Sequence, residues 1–330
     1  MQIQTPYNQI SKRWTTPLVI IVAIAVSFLI LAPLDLEITN FYIDFIYVAI
    51  PAVLAIYSTI LAQKLWNIDH PDTKSLTWFA IGSMALFVGE MWWTIDEDIL
   101  GAEPFPSGAD FFYLSSYPFF SAFFWHYLKS HRKFISNKIV LFGFAISAGL
   151  LMPSIITTYN LNATEDNFGT IVALAYPTVD VVILGFAVIS MMSLFQEGRN
   201  YFWIMMTFGI FAWISGNIIF LYAEVNETYY DGHPADIMWL STYVIRFFAV
   251  RDYSKKIRVN PAYVLGQVDS RKIRFGAINQ LAIPMSVGSV ILISLLILSM
   301  LGGFNFSNNT DNSNAIVFLL PFPLHNLVYV

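Results

Sequence analysis

The sequence predicts an all-α fold, a polytopic transmembrane helical bundle of about nine helices with an internal parallel repeat of helical hairpins. Three observations predict it. Of the 330 residues, 57% are hydrophobic and 12% are charged, which is about half the charged share of a soluble globular domain. The apolar runs are about 20 residues long, which fits transmembrane helices and not the short alternating strands of a membrane barrel. All 17 basic residues fall on one side of those runs.

Hydrophobic segments bounded by polar ones give the helices in order. The first follows Lys12 and Arg13 and has no small-residue cleavage site after it, so we predict a retained signal anchor. The apolar tail 314–330 carries two prolines and a histidine, and could form a tenth helix, a re-entrant segment or a truncated end. The predicted helical windows are 17–34, 41–62, 76–95, 109–128, 139–158, 169–195, 201–223, 235–250 and 277–303.

These segments divide the chain into three parts. Residues 1–253 form an eight-helix membrane bundle that contains both copies of the repeat, at 76–128 and 201–253. Residues 254–275 form a basic cytoplasmic loop, and residues 276–330 form the ninth helix and the apolar C-terminal tail.

The charges predict the orientation of the bundle. Lysine and arginine mark the cytoplasmic side of a membrane protein, and here they place the N-terminus in the cytoplasm. Arg246 belongs to this set, because it falls near the end of the eighth window, 235–250. The acidic residues show the opposite bias, because 17 of the 22 fall in outer connections or outward helix ends. The sequence therefore predicts a multi-pass protein of the cell membrane with an acidic outer face.

Two segments of the chain resemble each other. Gly82 and Gly89 recur as Gly209 and Gly216, both at an offset of 127 residues. Downstream, the segment ADFFYLSSY at 109–117 matches ADIMWLSTY at 235–243, at an offset of 126 residues. The offset spans four helices, so both copies have the same orientation in the membrane. Glycines seven apart share one helix face, and we interpret them as packing residues.

Each even-numbered predicted helix carries an aspartate in its outer half, and two roles are open for these residues. Asp110 and Asp236 open their helices and could cap free backbone N–H groups. Asp180 lies too deep in its window for that role unless Pro177 starts the helix. Ionisable groups at membrane depth usually face a protein or water-filled interior, so Asp180 and Glu90 are candidate functional residues.

Aromatic residues surround these acids at the outer helix ends. They could be the belt that anchors a membrane protein at the headgroups. They could also form, with the carboxylates, an outward-facing acidic aromatic pocket for a small cationic or polar ligand. The predicted ligand-binding residues of that pocket are Glu90, Trp93, Asp110, Tyr113, Tyr117, Asp180, Asp236, Trp239 and Tyr243.

Other chemistries have no support in the sequence. There is no cysteine, the five histidines have no spacing typical of haem or zinc sites, and no nucleotide-binding or hydrolase motif occurs. The predicted helix interiors contain no lysine for a retinal Schiff base. We therefore expect no catalytic residue, no metal, no cofactor and no nucleic-acid partner.

The segment from Pro106 to Pro118, PSGADFFYLSSYP, resembles an element of the membrane sensor regions that precede diguanylate cyclase, phosphodiesterase or histidine kinase modules in microbial signalling proteins. The resemblance covers the third to the eighth helix. It implies a helical sensor and no catalytic residue. After the eighth helix this chain has a basic loop and another helix, so the resemblance implies that a separate protein would supply the output or that the output has been lost.

The leading hypothesis is a non-enzymatic receptor or sensor-like protein. It would bind its ligand on the outer side and pass a helix shift to the basic loop, where a cytoplasmic or membrane protein could dock. One alternative is a proton- or cation-coupled transporter or channel that uses Asp180 and Glu90. Another is a structural subunit of a membrane complex.

Overall fold

The structure, a computed structural model, consists of α-helices joined by short connections. It describes residues 6–31, 37–66, 71–101, 105–130, 135–162, 167–197, 201–225, 228–230 and 232–259. These residues contain eight α-helices and no strand, so the predicted all-α fold is confirmed. The helices are α1 Pro6–Leu31, α2 Glu37–Leu65, α3 Pro71–Thr94, α4 Gly108–Ser130, α5 Asn137–Asn162, α6 Asn167–Glu197, α7 Tyr201–Val225 and α8 Pro234–Val259.

Six of the helices form a closed ring. Following the contacts around it, α2 packs against α3, α3 against α4, α4 against α6, α6 against α7, α7 against α8, and α8 against α2. The two remaining helices lie outside the ring, with α1 on α8 and α5 mainly on α6. The interior of the ring is therefore shielded from the surroundings by helices on every side.

One end of the ring is filled by aromatic side chains. Tyr127 near the end of α4 packs against Trp203 near the start of α7, with ring centroids 3.6 Å apart. Phe123 stacks on the same indole at 5.1 Å, and Phe202 packs on Tyr253 of α8 at 4.9 Å. All five side chains are buried. This aromatic plug joins α4, α7 and α8 at the end of the ring where α3 begins.

Four helices in the described part of the chain are long and apolar enough to cross a membrane. They are α1, α2, α6 and α7, over Trp14–Leu31, Phe41–Leu65, Phe168–Met191 and Phe202–Ala223. The eight helices have 23 to 31 residues, which corresponds to about 34 to 46 Å at 1.5 Å per residue. Length alone therefore does not separate the four from the others. Charged residues lower the hydropathy of α3 and α8, and serine, tyrosine, proline and histidine residues lower that of α4.

The described helices overlap the first eight predicted windows, with different ends. The eighth helix continues to Val259, past the predicted end at residue 250 and into the segment predicted as the basic loop. The remainder of that loop, the ninth window 277–303 and the tail 314–330 lie outside the described residues.

Arg246 lies elsewhere than the sequence suggested. We expected it near the cytoplasmic end of the eighth helix, but α8 extends thirteen residues beyond it, to Val259. Its side chain is 4% exposed, and its guanidinium carbon lies 4.7 Å from the centroid of the Phe120 ring and 5.8 Å from that of Trp213. Arg246 is therefore a buried cation inside the ring and not a surface charge.

The paired glycines allow close helix contacts, as predicted. A Cβ atom on Gly89 would lie 2.7 Å from the Tyr113 ring, and one on Gly216 would lie 2.6 Å from the Trp239 indole. On Gly82 a Cβ would lie 3.1 Å from Phe120. Hydrogen in place of a side chain lets α4 approach α3, and α8 approach α7, at these levels.

We predict that Gly89→Ala lowers the free energy of unfolding by about 1–3 kcal/mol, because the added methyl group overlaps the packed Tyr113 ring. Gly149→Ala is the matched control, since no atom lies within 4 Å of the Cβ position of Gly149, which is also in a helix. Alanine there should be neutral or stabilising by up to about 1 kcal/mol. Unfolding of both variants in detergent measures the difference, and equal stabilities would contradict the packing role of Gly89.

Candidate functional site

A cavity of about 760 Å³, counted to its open mouth, lies in the ring at the end opposite the aromatic plug. It is surrounded by the last turns of α3 and α7, the first turns of α2, α4 and α8, and the first half of α6. A π-helical turn, Ile95–Ile99, extends α3 at its rim. This is the end that the charge distribution predicts to face outward.

The lining of the cavity is acidic and aromatic. Its carboxyl groups are those of Asp44, Glu90, Glu97 and Asp110. Among the described residues that line it there is no lysine, arginine or histidine. Its aromatic side chains are Tyr47, Trp93, Tyr113, Tyr176, Trp213, Phe220, Tyr229 and Trp239. The cavity therefore combines negative charge with the electron-rich faces of aromatic rings.

Glu90 near the end of α3 joins three helices. Its side chain is 6% exposed. The Tyr113 hydroxyl of α4 donates to Oε2 at 2.9 Å, and the Tyr243 hydroxyl of α8 donates to Oε1. Both carboxylate oxygens therefore have a phenol partner, and neither bond comes from α3 itself.

Asp180 lies in the interior of α6, fourteenth of the 31 residues of that helix, and is 1% exposed. Because Pro177 is inside the helix and does not start it, Asp180 is not a cap. Its Oδ1 accepts from the Tyr117 hydroxyl of α4 at 2.8 Å, and its Oδ2 accepts from Asn217 Nδ2 of α7 at 3.0 Å. A central aspartate thus connects α4, α6 and α7.

Two indole groups extend the Asp180 network. Trp213 Nε1 donates to the Tyr117 hydroxyl oxygen at 2.8 Å, and Asn217 Nδ2 lies 3.0 Å from the same oxygen. Trp239 Nε1 of α8 donates to Asn217 Oδ1 at 3.0 Å. The network therefore runs from α6 through α4 and α7 to α8.

Asp110 has both of the roles that the sequence left open. Its Oδ2 accepts from the backbone N–H of Ser107, while Ser107 Oγ accepts from the backbone N–H of Ala109. This reciprocal pair is a capping box at the start of α4. The other oxygen, Oδ1, accepts from the Tyr176 hydroxyl of α6. The predicted cap also holds a neighbouring helix.

Asp236 in the first turn of α8 bonds to residues that precede the helix, and His233 caps the free N–H of Ala235. Asp236 Oδ2 accepts from the Gly232 backbone N–H at 2.8 Å, and its Oδ1 accepts from the Tyr229 hydroxyl at 2.9 Å. His233 Nδ1 accepts from the Ala235 backbone N–H at 3.3 Å. Burial lowers the pKa of His233 to about 4, so the imidazole is neutral near pH 7 and can act as that acceptor.

Five of the nine predicted ligand-binding residues line the cavity, namely Glu90, Trp93, Asp110, Tyr113 and Trp239. The other four are not among its lining residues. Tyr117, Asp180 and Tyr243 are buried and bonded to lining residues. Asp236 bonds to Gly232 and to Tyr229, which lines the cavity.

Sequence reasoning did not assign several residues of this region to the pocket. Tyr47, Glu97, Tyr176 and Trp213 line the cavity. Tyr47 and Tyr176 lie one turn from the acidic residues Asp44 and Asp180 of the same helices, and that spacing is a signal that could have found them. Trp213 lies one turn before Asn217, which follows Glu90 at the same offset of 127 residues as the paired glycines.

No group of three or more histidine, cysteine, aspartate or glutamate residues is arranged to hold a metal ion among the residues the structure covers. No protein-family model, curated protein or solved structure matches the chain. The geometry of the cavity is therefore the basis for any assignment of function.

We predict that Tyr117→Phe lowers the free energy of unfolding by about 2–4 kcal/mol, because it removes the acceptor of the Trp213 indole and a donor to Asp180. Tyr42→Phe is the matched control, since its hydroxyl makes one bond, to Ser27 Oγ at 3.1 Å, in a partly buried position. That change should cost about 1 kcal/mol or less. Denaturant titration in mixed micelles measures the free energy of unfolding of both variants. A loss for Tyr117→Phe no larger than that for Tyr42→Phe would contradict the central role of the network.

Proposed function

We propose that the chain is a non-enzymatic multi-pass receptor of the cell membrane, with a cytoplasmic N-terminus, that binds a small organic cation from the outer side. The observation that carries this proposal is the lining of the cavity. It has four carboxyl groups, eight aromatic rings and no basic residue among the described residues. Carboxylates and the faces of aromatic rings both attract cations, most strongly where water is excluded.

The walls of the cavity support a small organic ligand. Pockets that enclose small molecules commonly have mostly apolar walls with a few polar groups. The present cavity has aromatic and aliphatic walls with four carboxyl groups among them. An alkylammonium group between Glu90 and the Trp93 and Trp239 rings would use both kinds of attraction.

We further propose that residues 76–128 and 201–253 are two copies of one parallel repeat. Gly89 leaves room for Tyr113 in the first copy, and Gly216 leaves room for Trp239 in the second. In each pair the aromatic residue donates to the polar residue that follows the glycine, which is Glu90 or Asn217.

Contacts between the proposed copies correspond as well. Tyr243 of α8 donates to Glu90 of α3, and the matching Tyr117 of α4 contacts Asn217 of α7. Each proposed copy thus contributes a tyrosine, Tyr117 or Tyr243, that contacts the polar residue of the other copy. Only the first copy has an acid at this level, which makes the proposed binding cavity asymmetric.

Helix α8 is the element we propose to carry the signal. Near its start Trp239 lines the cavity, and one turn later Tyr243 bonds to Glu90. The same helix continues to Val259, into the basic segment that the charge pattern places in the cytoplasm. A shift of α8 on ligand binding would move that segment. A separate cytoplasmic or membrane partner would then respond.

A cation- or proton-coupled transporter is the second candidate, and buried charge favours it. Glu90, Asp180 and Arg246 are all less than 10% exposed inside the ring, and buried ionisable groups mark ion pathways in many transporters. The aromatic plug, which includes Tyr127, Trp203 and Phe123, fills the opposite end of the ring. Transport would require that plug to open, whereas a receptor would not.

We predict that choline binds to the purified protein and that 3,3-dimethylbutan-1-ol, its uncharged isostere, binds at least about tenfold more weakly, a difference of about 1.4 kcal/mol. Glu90→Gln should weaken choline binding by a similar factor, because it removes one charge and keeps the shape of the side chain. Isothermal titration in nanodiscs measures both affinities.

Asp252→Asn is the control for this experiment, because it makes the same change of charge on α8 at the end remote from the cavity. It should leave choline binding unchanged. Equal binding of choline and the alcohol, or equal affinities for Glu90→Gln and wild type, would overturn the cation site. Choline uptake into proteoliposomes would favour the transporter over the receptor.

A further inference from the structure

Asp180 and Glu90 are both buried inside the ring, and they differ in the hydrogen-bond donors that surround them. An indole N–H can only donate, so Trp239 Nε1 fixes Asn217 Oδ1 as its acceptor. The amide nitrogen of Asn217 must then face Asp180 Oδ2 and the Tyr117 hydroxyl. The orientation of the amide is set by a donor that has no alternative.

The same reasoning fixes the Tyr117 hydroxyl. Its oxygen receives hydrogens from Trp213 Nε1 and Asn217 Nδ2, which fill both of its lone pairs. Its own hydrogen must therefore point to Asp180 Oδ1. Asp180 accepts at both oxygens, and an added proton would be a buried donor facing other donors. The network is complete only when Asp180 is ionised.

Glu90 has no such constraint. Its two partners, Tyr113 and Tyr243, are phenols, and a phenol oxygen can accept as well as donate. Tyr113 also lines the cavity, so its hydrogen can turn to water there when its oxygen accepts from a protonated Glu90. Glu90 can therefore bind or release a proton without loss of either contact.

Charge balance inside the ring favours a protonated Glu90 when the cavity holds no cation. Arg246, whose Nη1 has no hydrogen-bond partner among the described residues, is the guanidinium buried in the same layer as Tyr117 and Tyr243. Tyr117 bonds to Asp180 and Tyr243 bonds to Glu90, so the one positive charge is shared by two acids and can offset only one of them. Asp180, whose surrounding donors leave no room for a proton, is the acid that stays ionised. The negative charges of Asp110 and Asp236 are stabilised by backbone N–H groups at helix starts.

The remaining titratable groups near Glu90 supply no second positive charge. They come from α2, the π-helical turn, α4, α6, the α7–α8 connection and α8. No basic side chain among the described residues lies within ion-pair distance of Glu90, and an ionised Glu90 would therefore be an uncompensated buried charge. These groups are Asp44, Tyr47, Glu97, Tyr113, Tyr176, Tyr229 and Tyr243.

We infer that binding of an organic cation in this cavity releases one proton, that the proton comes from Glu90, and that Asp180 stays ionised throughout. The inference rests on the proposed cation site. The Glu90 O–H bond breaks, its proton passes to water at the mouth of the cavity, and the carboxylate left behind pairs with the cation. The net charge of the site is the same before and after binding.

Calorimetry of choline binding to the full chain in nanodiscs tests this inference, because choline itself has no proton to lose in this pH range. Titrations in buffers of different ionisation enthalpy give the protons released. We expect about one for wild type, with an affinity that rises about tenfold per pH unit while Glu90 is protonated. Glu90→Gln should release none and show no such pH dependence.

Asp252→Asn should release the same proton as wild type. Choline binding without proton release, or equal release from Glu90→Gln, would overturn the inference and leave the cation site intact. Absence of choline binding would overturn both. Infrared spectroscopy without ligand provides a second readout: a carboxylic acid C=O band should be present in wild type and absent from Glu90→Gln, and its absence from wild type would contradict a protonated Glu90.

Discussion

The structure depends on one constraint: a polar group inside a ring of apolar helices must find its partner within the protein. Buried serine and threonine hydroxyls such as Ser58 and Ser83 bond to carbonyls of their own helix, whereas Asp180 and Glu90 bond to side chains of other helices. Asp180 connects α4, α6 and α7 through Tyr117 and Asn217, and Glu90 connects α3, α4 and α8 through Tyr113 and Tyr243. Because lipid offers no competing hydrogen bonds, such contacts specify which helices are neighbours.

The two ends of the ring are filled by different kinds of side chain. At one end Tyr127, Trp203 and Phe123 fill the space with rings. At the other end carboxyl groups occupy positions that apolar side chains would otherwise fill, and a cavity remains. The proposed receptor uses this difference, since a ligand that enters at the acidic end meets α8, which also reaches the plug through Tyr253. Binding and signalling would thus share one helix.

The sequence predicted the features that depend on local composition. Apolar runs gave the eight described helices, and the capping role of Asp110 followed from its place at a helix start. The sequence-based placement of Arg246 near the cytoplasmic end of the eighth helix was wrong. A positive charge marks a membrane face only when the side chain reaches that face, and the contacts that bury Arg246 come from other helices. Trp213 was missed for the same reason, because its role depends on which helices are adjacent.

The central claim is that the acidic cavity opens on the membrane face opposite the basic residues. The chain contains no cysteine, so single cysteines can be introduced at Leu100, after the π-helical turn, and at Ser136, before α5, both of which are exposed. A membrane-impermeant maleimide applied to intact cells should label Leu100→Cys and should label Ser136→Cys only after permeabilisation. Labelling of both positions from the same face would contradict the account.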